Sequence, residues 1–332
     1  MTRRRLLPRP DRRLTRLTLA LLVALFVSGI AACSSEGGGT SSASDPDALA
    51  VQAASFDLAV GPPTRFIAGV LTNDQRLVGF GTVQMQFSYL GTGQPGQESV
   101  PVGPAVSARF LPIPGTAAPD PAPPQPAVVT GRERGVYATQ MGFDRPGFWQ
   151  VEVTARIDGE DRRGTGAFEV TERHRLPAPG DLALATDNLT MASADTTKAA
   201  IDSRAGRDGE VPDPALHDTT IGAALAAGRP VVAVFATPVY CTSRFCGPVT
   251  DLVGELAEAN RDRADFVHVE IWQDFQANSL NQAAAEWLYR DDDLFEPWVF
   301  VIGADGRIVA RFDNVVTREE LEPLIAAFPP TA

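Results

Sequence analysis

The sequence predicts two folded parts of different class behind an N-terminal leader: an all-β sandwich over residues 50–172 and an α/β domain over residues 216–332. Three observations carry this expectation. The first part alternates apolar and polar residues with period two, the pattern of strands that bury one face. The second mixes continuous apolar runs with apolar residues at helical spacing. Between them, residues 173–215 are broken by Pro177, Pro179, Gly180, Gly206, Gly209, Pro212 and Pro214 and read as a linker. A chain of 332 residues exceeds one ordinary core, which agrees with two domains.

The leader comes first. Arg3, Arg4, Arg5, Arg9, Arg12, Arg13 and Arg16 form a basic start, and Leu17 to Ile30 is an apolar run too short to span a membrane comfortably. It ends in Ile30-Ala31-Ala32-Cys33, followed by a Ser/Gly-rich tether over residues 34–49. Small residues before a cysteine resemble the lipobox of bacterial lipoproteins. That resemblance implies cleavage at residue 33, lipid on Cys33 and an extracytoplasmic protein anchored to the cell membrane. Disulfides persist outside the cytoplasm. With Cys33 lipidated, Cys241 and Cys246 are left as an even pair that has only itself to bridge. The net charge is −12; the leader holds seven Arg and one Asp, a net +6, so the chain beyond it carries −18. Such a surface repels nucleic acid and anionic lipid, so the membrane contact is expected through the lipid alone.

In the first domain, Val83, Met85, Phe87 and Tyr89 alternate with Thr82, Gln84, Gln86 and Ser88. Trp149, Val151, Val153, Ala155 and Ile157 alternate with polar neighbours in the same way. Shorter strands are expected at 55–60, 65–70, 136–143 and 166–170, with turns at Gly61-Pro62-Pro63, Asn73-Asp74, Pro146-Gly147 and Asp158-Gly159. This punctuation predicts an antiparallel sandwich of the immunoglobulin type, with Trp149 in its core. Gly91 to Pro126, rich in Pro, Gly and Ala, reads as a long loop.

In the second domain, Asp218 is a candidate cap for a short helix over 220–227 that stops at Gly228. Strand 231–235 follows, then the cysteine loop, then a helix from Pro248 with Val249, Leu252, Val253 and Leu256 on one face. Further strands are expected at 266–271, 298–302 and 307–312, the last two joined at Ala304-Asp305-Gly306. A helix over 280–289 has Ser279 as its candidate cap, and a final helix opens on Thr317 with Glu320 three residues on.

This order, with Phe245-Cys246-Gly247-Pro248, Glu296-Pro297-Trp298-Val299-Phe300 and Ile302-Gly303-Ala304-Asp305-Gly306-Arg307-Ile308, resembles the thioredoxin-like domains of membrane-anchored bacterial thiol oxidoreductases. The resemblance covers residues 215–330. It implies a C-terminal thioredoxin-like fold, a cis-proline at Pro297 that faces the thiols and positions a substrate backbone, and thiol–disulfide exchange with protein thiols or disulfides of the cell envelope. The spacing departs from that family. Its second cysteine falls on Val249, and no acidic residue lies on strand 231–235. Five helical steps would hold the Cα atoms of Cys241 and Cys246 roughly 8–9 Å apart, beyond the reach of a disulfide at about 7 Å. Pro248 resolves this, because proline favours the first helical position. Cys246 then sits at the helix N-terminus and Cys241 in the preceding loop. The helix dipole and Arg244 would favour a Cys246 thiolate, which makes Cys246 the expected attacking thiol and Cys241 the resolving one.

Two alternatives use the same residues. The bridge can be a structural staple in a redox-inert binding or assembly module, although a loop this short gains little from closure. Alternatively, Thr237 to Cys241 with a second cysteine five residues on is similar to the Q-type peroxiredoxins, in which Cys241 would attack peroxide. Metal handling of the kind seen in copper chaperones is not expected: His268 lies mid-strand, His174 and His217 lie in linkers, and no zinc-like cluster or cofactor motif is read.

Overall fold

The computed structural model describes residues 47–93, 99–116, 121–206 and 209–330; the leader, Cys33 and residues 34–46 of the tether lie outside them. The described residues belong to one compact unit. In chain order its first half contains β1 (Leu49–Ala53), β2 (Gly61–Thr72), β3 (Val78–Gly79), β4 (Thr82–Gly91), β5 (Val100–Pro101), β6 (Val106–Pro112), β7 (Ala127–Val128), β8 (Gly135–Phe143), β9 (Gly147–Ile157) and β10 (Glu160–Val170). The second half contains α1 (Lys198–Ile201), α2 (Ile221–Ala226), β11 (Val231–Ala236), α3 (Cys246–Asn260), β12 (Asp265–Glu270), β13 (Trp272–Asp274), β14 (Ser279–Leu280), α4 (Gln282–Leu288), β15 (Trp298–Ile302), β16 (Ile308–Asp313) and α5 (Arg318–Ala326). No helix among the described residues is long and apolar enough to cross a membrane.

The expected immunoglobulin-like sandwich is not what forms. A single antiparallel sheet runs in the order β1-β2-β8-β6-β4-β9-β10 and curls until it is nearly closed, like a barrel. Its interior holds Phe66, Phe87, Phe143, Trp149 and Phe168 in edge-on and tilted contacts. The two ends of the sheet, β1 and β10, lie against each other. They approach so closely that a Cβ added at Gly164 would fall 2.1 Å from the Leu49 carbonyl oxygen, and one at Gly166 2.6 Å from that of Val51. Period-two alternation reports one buried face per strand, and a rolled sheet and a stacked pair of sheets satisfy it equally. The stretch read as a long loop contains β6, which pairs with both β4 and β8 in the middle of the sheet.

A C-terminal α/β thioredoxin-like fold is likewise not shown. The protein is mostly β, and among the described helices only α3 runs longer than nine residues. The second half is built on a four-stranded sheet ordered β12-β11-β15-β16, in which β11 and β12 are parallel and the other pairs antiparallel. It does not complete its core alone. Phe56 from the first half, together with Leu176 and Ala183 from residues 173–215, packs on one side of the sheet. Local capping also differs from expectation: Thr220 caps α2 and Asn281 caps α4, while Ser279 pairs in the short β13–β14 ribbon.

Two buried arginines join the halves. Arg311 of β16 donates to the Asp57 carboxylate at 2.8 Å and lies 5.1 Å from the Trp298 ring centre. Arg65 of β2 donates to Glu320 at 2.9 Å and to the Val315 carbonyl. The outer face of the rolled sheet adds an apolar contact: Ile67, Leu111, Val136 and Ala138 pack with Val315 and with Phe245 of the cysteine loop. The first half is therefore the seat on which that loop rests.

Candidate functional site

The site is built around the loop that leaves β11. All six residues of β11 are buried, so the strand end is a fixed point. At its exit, Thr237 accepts the Cys241 N–H at its carbonyl, 3.1 Å, which curls the chain before the first thiol. The Ser203 hydroxyl holds the loop from behind by accepting the Val239 N–H at 3.2 Å. The helix then starts at Cys246, with Pro248 inside its first turn. Cys241 and Cys246 form a disulfide across a Cα separation of 6.1 Å. Cys246 is completely buried, whereas Cys241 is partly exposed. The Ser243 hydroxyl lies 3.2 Å from the Cys241 sulfur. A bridged sulfur carries no hydrogen, so Ser243 is the donor. Arg244 is exposed, with a left-handed φ of 63°.

The residue that sequence reasoning missed is Glu296. One of its carboxyl oxygens and both sulfurs lie within 4.8 Å of one another. The other approach to this carboxyl is from the Thr237 N–H, which donates to Oε2 at 2.9 Å. Burial, reinforced by the negative Glu270 behind it, pushes the Glu296 carboxyl up to about 8 despite that hydrogen bond. A carboxylic acid that is largely protonated at neutral pH thus stands beside the disulfide. It was hard to see because the position where an acid is expected is strand 231–235, and this one comes from the segment before β15. Pro297 follows it, joined by a cis peptide bond; it is buried, and its carbonyl accepts the Asn314 N–H at 3.0 Å. Val249 is buried in the α3 core. Cys33 lies outside the described residues.

An open cleft of approximately 1210 Å³ runs beside the loop. Phe56 and Phe245 line it from either half, and Tyr240, Phe275, Phe295 and Glu296 complete the wall nearest the thiols. The Tyr240 and Phe275 rings stack flat at 4.0 Å, and Phe275 and Phe295 are exposed.

Behind the loop lies a second polar cluster, drawn largely from the segment read as a linker. Asp202, His217 and His268 are fully buried. Glu270, also buried, accepts the backbone N–H groups of Ser203 at 2.8 Å and Ile271 at 3.0 Å. Ser203 therefore ties this cluster to the thiol loop. The histidines were read separately as a strand residue and a linker residue, and nothing in their spacing announces that they meet.

No family model matches the chain, and no curated protein matches it.

Proposed function

We propose that the protein is a thiol–disulfide oxidoreductase that works through the Cys241–Cys246 bridge, with Glu296 as its proton donor and acceptor. The observation that carries this reading is the placement of a largely neutral, half-buried carboxyl within 4.8 Å of both sulfurs. A structural staple has no use for such a group, and keeping a desolvated acid there costs stability.

Accessibility sets the order of events. Cys246 is fully buried, so the sulfur open to a partner is that of Cys241, the reverse of the order expected from the helix N-terminus alone. An incoming thiolate attacks the Cys241 sulfur. A new sulfur–sulfur bond forms there, the Cys241–Cys246 bond breaks, and its electron pair leaves on Cys246. The helix N-terminus stabilises that thiolate, and Glu296 protonates it. A second thiolate then attacks the substrate sulfur of the mixed disulfide, releasing Cys241 as a thiolate that takes a proton from water; Glu296 recovers its own from solvent. Two substrate thiols have become one disulfide, and the bridge has become two thiols. The same steps in reverse reduce a substrate disulfide. The aromatic cleft beside Cys241 suits an extended polypeptide as the partner.

Redox titration against glutathione, followed by thiol alkylation and mass measurement, tests the reading. A bridge that equilibrates within the range of exchange catalysts supports it. A bridge still intact at about −300 mV, the range of structural disulfides, overturns it. The reading also keeps the chain outside the cytoplasm as a lipoprotein, supported by the Ala31-Ala32-Cys33 leader. Fatty-acid labelling that disappears in Cys33→Ser is the expected result there; unchanged labelling would contradict it.

A further inference from the structure

The geometry points to a second site: we propose that Asp202, His217 and His268 bind one divalent transition-metal ion, Zn²⁺ being the simplest candidate, behind the thiol loop. The three ligand atoms come from three separate segments and lie within 4.8 Å of one another. Asp202 precedes a short 3-10 turn at 203–205, His217 ends another at 214–216, and His268 is on β12. The Asp202 Oδ2 atom is 3.3 Å from His268 Nδ1 and 3.5 Å from His217 Nε2. Ligands about 2.0–2.1 Å from a tetrahedral zinc lie about 3.3–3.4 Å from each other. The two carboxylate-to-imidazole distances therefore match those of ligands arranged around an ion.

The hydrogen-bond pattern leads to the same place. His268 Nε2 lies 3.0 Å from the Ala236 carbonyl, so that nitrogen carries a hydrogen and donates it. Its Nδ1 then faces a carboxylate and needs a cation between them. Both rings face Asp202, yet His268 Nδ1 and both ring nitrogens of His217, all buried, make no well-formed hydrogen bond, which is a costly state. A metal ion engages both histidines at once and leaves only the His217 Nδ1 without a partner. The His268 bond to Ala236 is then the usual outer contact that orients a ligating imidazole.

Charge favours the ion as well. Arg204 is the shared cation of Asp202, Asp213 and Asp251, at 2.7, 3.0 and 2.8 Å. Asp213 and Asp251 face solvent and share the one guanidinium with the buried Asp202, so Arg204 neutralises the Asp202 charge only in part. Arg204 also orients Asp202: its Nη2 donates at 2.7 Å to Oδ2, the oxygen that faces both imidazoles, and its Nε at 3.1 Å to Oδ1. Mixed nitrogen and oxygen donors suit Zn²⁺, Co²⁺ or Fe²⁺ over Ca²⁺ or Mg²⁺. Three protein ligands leave a four-coordinate ion one further position, which burial shields from bulk solvent; the ion would hold the Asp202–Arg204 turn, and through Ser203 the thiol loop, in place.

The test is metal titration of the full-length protein after chelator stripping, with elemental analysis of the bound ion. One Zn²⁺ per chain is expected in the wild type and equally in the double variant Cys241→Ser/Cys246→Ser. His217→Ala, checked for folding by its cooperative melting, is expected to bind at least about tenfold more weakly. Co²⁺ loading of the wild type gives an answer even if the histidine variant fails to fold. It should give visible d–d bands without a sulfur-to-metal charge-transfer band. Absence of stoichiometric metal, binding that vanishes with the cysteines, or a thiolate band would overturn the proposal.

Discussion

At the scale of residues, the account rests on Glu296. Its carboxyl is held at about 8 in the folded chain against an ordinary 4.5. Below pH 4.5 both folded and unfolded forms are protonated, and this group costs the fold nothing. As pH rises from 4.5 to about 8 the unfolded chain ionises first, so stability falls, and above about 8 the loss levels off. Urea unfolding across this range should show a decline on the order of a few kcal/mol that Glu296→Gln largely removes. An unchanged pH dependence in that variant would mean that the carboxyl is not the group responsible. The same substitution should slow thiol exchange at neutral pH and abolish an inflection near pH 8 in the rate. Asp57 behaves in the opposite sense. Burial opposes its charge, but hydrogen bonding with His174, the Arg311 charge and the Arg175 N–H hold it well below the usual carboxylate range. Its contribution is present above its ordinary pKa of 3.8 and is lost as pH falls below that value.

At the scale of elements, the sheet closure depends on two glycines. Gly164 and Gly166 let β10 lie against the backbone of β1. Gly164→Ala must push the strands apart and should cost about 1–3 kcal/mol, as overpacking does. Gly69→Ala, on β2, meets only one atom at 4.0 Å and should be close to neutral. Equal effects by chemical denaturation would mean that β1 and β10 do not close as described. The strands themselves were legible from alternation: Val83 to Tyr89 lies within β4 and Trp149 to Ile157 within β9. Their arrangement was not, because alternation is local and the pairing of β2 with β8, or of β6 with its two neighbours, joins residues far apart in the chain. β6 itself was hidden because Pro104 precedes it, Pro112 ends it, and only Ala108 and Leu111 are fully buried. The cysteine loop and the start of α3 at Cys246 were legible because Pro248 marks the helix entrance.

At the scale of the whole molecule, the two halves depend on each other through buried charge. Arg311 and Asp57 are both buried, with side-chain exposures of 7% and 3%. Arg311→Ala leaves Asp57 without its main cation and should destabilise the protein by about 3–5 kcal/mol. The double change Arg311→Met/Asp57→Ala should recover part of that loss, and both would be read from denaturant midpoints. If Arg311→Ala proves neutral, the halves are not held by this pair. This dependence also explains why the candidate site was only half visible in the sequence. Both thiols sit in one short motif, but Glu296 reaches them from 50 residues beyond Cys246, and Phe245 is seated on a sheet formed by the first half. Asp202, His217 and His268 meet only when the turns at 203–205 and 214–216 fold onto β12, which no local pattern encodes.

The central claim is that Cys241 is the sulfur a partner meets and Cys246 the one that leaves. Single-cysteine trapping tests it most directly: Cys246→Ser and Cys241→Ser are each incubated with a peptide disulfide, and the mixed disulfides are located by mass spectrometry. The account expects a stable adduct on Cys241 in Cys246→Ser and little or none on Cys246 in Cys241→Ser. Adducts formed only in Cys241→Ser, or in neither variant, would contradict it.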